Sequence, residues 1–345
     1  MADIEIRIEG KAGRITLNRP KALNALSYEM CLAVERALDA WRDDSAVDLI
    51  LIDAVGEKAF CAGGDIQEMY DTARHGDFSY GRKFWADEYR MNAKMRAYPK
   101  PVVSFLQGFT MGGGVGVGCH GSHRIVGESS QIAMPECGIG LVPDVGGSFI
   151  LSRAPGRTGE YLGTTGQRLN AGDAIFCGFA DIFVPESEWE ALKVKLVATG
   201  DPSAIISQNA KAPAGTVQSE LENINVAFEL ETLPEILAAL PEDDWGQQTA
   251  KALSRGCPIS MACTLEMVRN ARGFERFEQA LAQEYRFTYR SASDGDFVEG
   301  IRAQIIDKDR NPKWALAIGD IRRTHIEAML APLGLDELQI QGETS

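Results

Sequence analysis

Glu136 and Asp144 stand eight residues apart in the segment Ala133-Met134-Pro135-Glu136-Cys137-Gly138-Ile139-Gly140-Leu141-Val142-Pro143-Asp144-Val145-Gly146-Gly147. The rest of that segment is apolar and rich in glycine and proline, with no lysine or arginine to neutralise the pair. Desolvation disfavours the charged form of a carboxylate, so a dry setting pushes its pKa upward. Carboxylates tuned in this way serve enzymes as bases, acids or nucleophiles. The segment reads equally as a tight turn with Glu136 and Asp144 at its wet edges.

Two glycine loops carry a second kind of chemistry. Phe60-Cys61-Ala62-Gly63-Gly64-Asp65-Ile66 and Gly108-Phe109-Thr110-Met111-Gly112-Gly113-Gly114-Val115-Gly116 each follow a predicted strand and open a predicted helix. Backbone N–H groups at a helix start are unpaired and carry a partial positive charge. Two of them aimed at one point make an oxyanion hole for the oxygen of a thioester or enolate. Tight helix packing is the plainer reading of Gly112-Gly113-Gly114. Phosphate binding is a third reading, although no GxxxxGK[ST] motif is present. Each loop alone is a weak signal; both together, upstream of Glu136, are a strong one.

The elements that must position these residues follow from periodicity. Residues 3–9 alternate as a half-buried strand does, and a turn at 10–13 leads to a second strand at 14–18, a hairpin pattern. Ser27 suits the N-cap of a helix to about Trp41, with Glu29 in its first turn and Met30, Leu32, Ala33, Val34, Ala37 and Leu38 on its buried side. Residues 48–53 and 101–106 read as buried strands, 124–127 and 131–134 as short ones, and helices are expected from about Ile66 and over 80–97. Strand–helix alternation predicts an α/β layered core. After about residue 190 the character changes. Residues 199–217 look like a linker or a long irregular connection, and helices are expected near 219–228, 233–240, 243–254, 258–271, 274–289 and 294–307, the last capped by Ser293 or Asp294. The expected division is an α/β core over 1–195 and a helical region over 196–345.

The 345 residues are 45% hydrophobic and 24% charged, the composition of an ordinary globular protein. A formal net charge of −14 argues against a nucleic-acid partner, which needs clustered Lys and Arg. Residues 1–9 carry no apolar stretch behind a basic start, so no secretory leader is expected. No run of about 18 apolar residues predicts a membrane span. The seven cysteines (31, 61, 119, 137, 177, 257 and 263) are odd in number and scattered among apolar neighbours, which suggests reduced thiols in a cytoplasmic protein. There is no CxxC pair, and the four histidines are not spaced as metal ligands, so no metal site is expected. Cys137 beside Glu136 reads as a buried thiol rather than a nucleophile, and His120 as a packed histidine.

These motifs give the chain a family resemblance. Ile15-Thr16-Leu17-Asn18-Arg19-Pro20, Ala22-Leu23-Asn24-Ala25-Leu26, the FCAGGDI loop at 60–66, Asp87-Glu88-Tyr89, MGGGVG at 111–116, His120-Gly121, AMPE at 133–136 and IGLVPDVGG at 139–147 resemble the crotonase (enoyl-CoA hydratase/isomerase) superfamily. Glu299-Gly300-Ile301-Arg302-Ala303 and Asp307-Lys308-Asp309-Arg310-Asn311-Pro312-Lys313-Trp314 extend the match. PDVGG after AMPE, with the DKDxNPKW tail, looks like the 3-hydroxyisobutyryl-CoA hydrolase branch.

The resemblance implies a spiral of ββα units with a helical C-terminal region, and hydrolysis of a short-chain hydroxyacyl-CoA, 3-hydroxyisobutyryl-CoA in valine catabolism. It implies that Gly64 and Gly113 donate the oxyanion-hole N–H groups, that Glu136 and Asp144 are the catalytic carboxylates, and that Glu88 contacts substrate. The loop with Arg19, Lys21 and Ala22 matches where family members hold the nucleotide part of CoA, and Ala62 and Asp65 join these as substrate-binding positions. No cofactor is implied, since coenzyme A is part of the substrate. The partner is an acyl-CoA, with no nucleic acid and no membrane, and the family's trimers and hexamers make a homo-oligomer the expected assembly.

Family hydratases carry a second glutamate three residues after the middle glycine of the GGG run. That position is Gly116 here, while Asp144 supplies an acid that hydratases lack. The chain departs from the branch at Cys137-Gly138, where Thr-Ala is usual, at Val142 in place of phenylalanine, and at Asp181 in place of histidine. These put the acyl group in question more than the reaction. An enoyl-CoA hydratase or isomerase and a non-catalytic CoA-binding protein are the competing readings. Arg302, Lys308 and Lys313 read either as contacts to CoA phosphates or as solvated helix charges.

Overall fold

The alternating start of the chain folds as a hairpin. In the computed structural model, which describes residues 2–340, Ile4–Glu9 (β1) pairs antiparallel with Ala12–Leu17 (β2), Glu9 opposite Ala12. Seven further strands follow among the described residues: Leu49–Ala54 (β3), Ala59–Cys61 (β4), Val102–Phe105 (β5), Phe109–Met111 (β6), His123–Val126 (β7), Gln131–Ala133 (β8) and Ile182–Phe183 (β9). Successive strands from β3 to β8 go alternately to two sheets. One has the order β1-β2-β3-β5-β7-β9 and the other β4-β6-β8. Every pairing after β1–β2 is parallel. Parallel strands need a crossover between them, and each β–β step here ends in helical structure: Gln67–Ala73 after β4, Gly113–Gly118 after β6 and the 3-10 turn Glu136–Ile139 after β8. This is the expected spiral of ββα units.

β3 shows no alternation because both its faces are covered, as parallel strands usually are. Leu49, Leu51, Val103, Phe105 and Ile125 of the sheet pack against Trp189, Leu192 and Leu196 of the helix Trp189–Thr199. The helix Tyr28–Trp41 begins where expected, with the Ser27 side chain accepting from the Met30 N–H. Its buried face differs in detail. Leu32 and Ala33 are only half-buried, while Cys31, Glu35 and Trp41 are buried. Glu35 tolerates burial because Arg90 grips both its oxygens at 2.6 and 2.8 Å.

Two compact units emerge, and both draw on separated parts of the chain. Among the described residues, the first holds 2–65, 90–133 and 168–216; the second holds 66–89, 134–167 and 217–340. The division at 195 follows sequence character, whereas these units interleave. All nine strands belong to the first. The second is helical, and six of its helices, Leu221–Phe228, Leu233–Ala239, Asp244–Leu253, Pro258–Ala271, Phe277–Ser291 and Phe297–Ile301, match the expected ones. The last was expected to run to 307, but gives way to a π-helical turn, Arg302–Ile306. Its N-cap is Asp296 rather than Ser293 or Asp294, and the Asp296 side chain accepts instead from the Ala315 N–H at 3.1 Å, tying down the following loop.

Asn24 shows how the first unit fixes its loops. It is buried in left-handed backbone, φ 55°, a conformation asparagine tolerates better than most residues. Its amide donates to Val55 O at 3.0 Å and Ala59 O at 2.9 Å, and its oxygen accepts the Arg19 N–H at 2.8 Å. Asn24→Ala leaves three backbone groups short of partners and should cost about 2–4 kcal/mol, read as a lower denaturant midpoint at unchanged slope.

Candidate active site

The candidate residues fall into two groups, one in each unit. In the first unit, β4 and β6 are parallel neighbours, so both glycine loops leave the same edge of the three-stranded sheet. Leu26 N–H donates to Gly63 O at 2.9 Å, and Asp65 N–H donates to Leu26 O at 2.8 Å. That ladder passes over the Gly64 N–H. In the second loop Gly113 is the first residue of its helix, so its N–H has no partner within the helix. A Cβ on Gly114 would lie 2.2 Å from the Cys61 carbonyl oxygen. Only glycine lets the second loop close on the first there. Gly116 is buried inside the helix Gly113–Gly118.

The expected CoA-binding positions surround these loops unequally. The Ala62 N–H is taken by Leu23 O at 3.0 Å. Arg19 and Asp65 pair with each other at 2.9 Å, and Arg19 also meets Asp3 at 3.3 Å. Lys21 and Ala22 are exposed in a short 3-10 turn. In the second unit, Arg302 is held by Glu299, Asp307 and Asp309 of its own segment at 2.7–2.8 Å, so its charge is already matched locally.

The second unit gathers the acids. Glu136 is 5% exposed, Asp144 4% and Glu88 4%, so the wet-edge reading of the Glu136–Asp144 segment does not hold. Glu136 opens its 3-10 turn, and its carbonyl accepts the Leu141 N–H at 3.0 Å. Gly140 closes that turn at φ 75°, where a Cβ would meet the Asp296 carbonyl oxygen at 2.5 Å. Glu88 lies on the helix Ser79–Arg96. Glu88 Oε1 and Glu136 Oε2 are buried with no hydrogen-bond partner among the described residues.

Two further residues complete the cluster. The Tyr89 hydroxyl donates to Asp144 Oδ2 at 2.7 Å. Glu284, on the helix Phe277–Ser291, is fully buried and accepts from the Gly146 N–H, the Ser148 N–H and the Ser148 hydroxyl. Sequence reasoning found neither role. Tyr89 stood inside a quoted motif without a function, and Glu284 carries no local signal, since its partners are 138 and 136 residues away.

Burial drives the electrostatics. It pushes the carboxyls of Glu88 and Glu136 well above their usual range, and the charge of Asp144 pushes both further. Burial also raises Asp144 to about 7 against the opposing Tyr89 hydrogen bond, and Glu284 to about 8 against its bonds from Ser148 and Gly146. Glu136 and Asp144 therefore titrate as an interacting pair rather than as two ordinary acids. Among the described residues no Lys, Arg or His pairs with these four carboxylates. The buried Glu160 makes the contrast. Arg157, Arg269 and Arg272 surround it at 2.6–3.7 Å, the arrangement of a structural acid. Acids left without counter-charge make this the candidate functional cluster.

Cys137 is not part of the chemistry. Its Sγ lies 3.3 Å from Gly163 O and 3.3 Å from Thr264 Oγ1, and burial raises its thiol far above the range of a reactive cysteine. His120 is 2% exposed and lies in the first unit, as expected of a packed residue.

The Tyr89 bond gives a signed prediction. Donation to ionised Asp144 lowers its pKa. Tyr89→Phe should therefore move the descending limb of kcat/KM, set by loss of the Asp144 proton, upward by about one pH unit. A limb that stays in place removes Tyr89 from the mechanism.

Comparison with known proteins covers nearly the whole chain. A family model described as enoyl-CoA hydratase/isomerase matches residues 12–330. The 3-hydroxyisobutyryl-CoA hydrolase 1 of Arabidopsis thaliana is 39% identical over 317 residues, covering 87% of this chain and 83% of the relative. The mitochondrial 3-hydroxyisobutyryl-CoA hydrolase of Gallus gallus is 34% identical, covering 98% and 91%. A solved structure titled as an enoyl-CoA hydratase from Rhodobacter sphaeroides is 49% identical with a TM-score of 0.94, covering 98% of this chain and all of that one. With the alternating two-sheet spiral and a family match across nearly its whole length, this chain belongs to the enoyl-CoA hydratase/isomerase, or crotonase, family.

Proposed function

We propose that this protein hydrolyses a short-chain hydroxyacyl-CoA thioester, 3-hydroxyisobutyryl-CoA of valine catabolism, to the free hydroxy acid and CoA. The observation that carries the reading is the Glu136–Asp144 pair, buried without a cation and bonded to Tyr89. Curated relatives at 34–39% identity that bear the hydrolase name support it.

In this reading the thioester oxygen is received by the N–H groups of Gly64 and Gly113, which stabilise the negative charge that develops on it. Glu136 either takes a proton from the water that attacks the acyl carbon, or itself attacks to form an anhydride that water then opens. Both routes break the C–S bond and return a proton to the departing thiolate. Both require Glu136 to be ionised at the moment of attack, so the proton shared by the pair must rest on Asp144. Glu88 contacts the acyl group, and Arg19, Lys21, Ala22, Ala62 and Asp65 border the CoA.

The hydratase title of the solved relative favours a second reading, addition of water to an enoyl-CoA. Gly116 counts against it, because that chemistry uses a second carboxylate there. Incubation with a panel of acyl-CoA thioesters, following free CoA and acid by mass spectrometry, should show release from 3-hydroxyisobutyryl-CoA and no loss of the enoyl absorbance of crotonyl-CoA. The opposite pattern establishes the hydratase.

No helix among the described residues is long and apolar enough to cross a membrane. All seven cysteines are buried and outside any disulfide, which supports a reducing compartment. We place the protein in the cytoplasm, as a homo-oligomer; fractionation and light scattering test the two statements.

A further inference from the structure

We propose that Glu284 is a positioning residue, which holds Asp144 in its working orientation by clamping the strained turn that carries it. The inference rests on the thioester-hydrolase reading for its consequence in catalysis.

Asp144 is followed by Val145 at φ 50° and Gly146 at φ 80°. Glycine enters left-handed backbone freely, but a β-branched residue there is an outlier that persists only where its surroundings over-determine it. Glu284 is that surrounding. Its Oε2 accepts the Gly146 N–H at 2.7 Å, and its Oε1 accepts the Ser148 N–H at 2.9 Å and the Ser148 hydroxyl at 2.5 Å. The Gly147 N–H returns to Asp144 O at 2.6 Å and closes the turn. Next to the clamp, the Gln283 amide donates to Met267 O at 2.9 Å and reaches Ser148 Oγ at 3.4 Å, fixing the register of the helix.

The donors that Glu284 satisfies are those at the start of the helix Gly147–Ser152. A local cap residue would ordinarily take them, but the N-cap here is Gly146, which has no side chain to offer. A merely structural clamp could be neutral. This one is an acid placed within reach of the Asp144 and Glu136 charges, which burial and repulsion make unfavourable. Two carboxyl oxygens accepting three converging donors hold the turn more tightly than an amide, which offers one acceptor oxygen and turns N–H donors toward the Gly146 and Ser148 N–H groups. The cluster tolerates the added repulsion because the turn's geometry sets the direction of Asp144 toward Tyr89.

The test is a double-mutant cycle. Glu284→Gln should lower kcat for 3-hydroxyisobutyryl-CoA about 10²-fold with KM within threefold, the signature of a displaced reacting group. Val145→Gly takes the same backbone without strain, so adding Glu284→Gln to it should cost under about tenfold. In the crystal structure of the Glu284→Gln protein, Asp144 should have left hydrogen-bond distance of Tyr89. An unchanged kcat, an equal loss in both backgrounds, or Asp144 still bonded to Tyr89 overturns the proposal. Should Glu284→Gln not fold, Ser148→Ala removes one donor only, and should lower kcat by about threefold to tenfold at unchanged KM; an unaltered kcat there overturns it as well. If the wild-type protein cleaves no thioester, the hydrolase reading fails by itself, and the variant crystal structures still decide the clamp.

Discussion

Glu136→Gln should lower kcat for 3-hydroxyisobutyryl-CoA by about 10³-fold while leaving KM within threefold, measured as CoA release with a thiol reagent. The substitution preserves shape and size. What it removes is the capacity of a buried oxygen to take a proton or form an acyl bond, and Glu136 Oε2 has no partner among the described residues to occupy it. Some turnover over water should remain, because the peptide donors and substrate binding act without the carboxylate. An equal loss in kcat and kcat/KM would mean that Glu136 acts in the transition state only. Turnover unchanged by the substitution would assign the activity to a contaminant and favour a protein that binds CoA without acting on it.

Asp144→Asn should separate activity from stability. Activity should fall about 10²-fold, because asparagine has no acidic proton to return to the departing thiolate. Stability should move the other way. Asp144 binds a proton more tightly folded, at about 7, than unfolded, near 3.8. A carboxyl with a raised folded-state pKa loses stabilising influence as pH rises from its unfolded value through its folded one. The wild-type protein therefore carries the full penalty above about pH 7. The asparagine has no charge to desolvate, and its side-chain oxygen still accepts from Tyr89. At about 1.4 kcal/mol for each tenfold change in proton affinity, the gain at pH 8 is bounded by about 4 kcal/mol. The Tm should rise by several degrees at pH 8 and change little near pH 4. A variant less stable than wild type at pH 8 would show that Asp144 is ionised without cost.

Much of this was readable one residue after another. The Ser27 cap and the C-terminal helical periodicities are local patterns, and the elements formed as those patterns require; the Ile4–Glu9 alternation marked a strand, but Ile6 and Ile8 lie exposed on it instead of buried. The errors were local too. Leu32 and Ala33 sit at the margin of a helical face whose width depends on what packs against it, and Arg90 made room for Glu35 instead. Asp294 had the right chemistry for a cap, but Asp296 took the position and used its side chain on Ala315. The site was legible as residue types. Glu136, Asp144 and both glycine loops stood out by composition, whereas their surroundings did not. The Glu136–Asp144 segment allowed a wet turn or a dry cluster, and nothing within fifteen residues could choose between them.

The chain's order of residues determined the alternation of strands and helices, the membership of the crotonase family and the presence of two acids among apolar neighbours. Those properties depend on contacts a few residues apart, which repeat with the period of the local backbone. Tertiary structure alone decided that the acids are dry, that Tyr89 bonds Asp144 across 55 positions and that Glu284 grips the next turn across 138. It also turned Arg19 and Asp65 from two separate contacts into one ion pair. The strength of a charge depends on the medium around it and on the groups it faces. Both are set by segments far along the chain, so no local pattern can announce them.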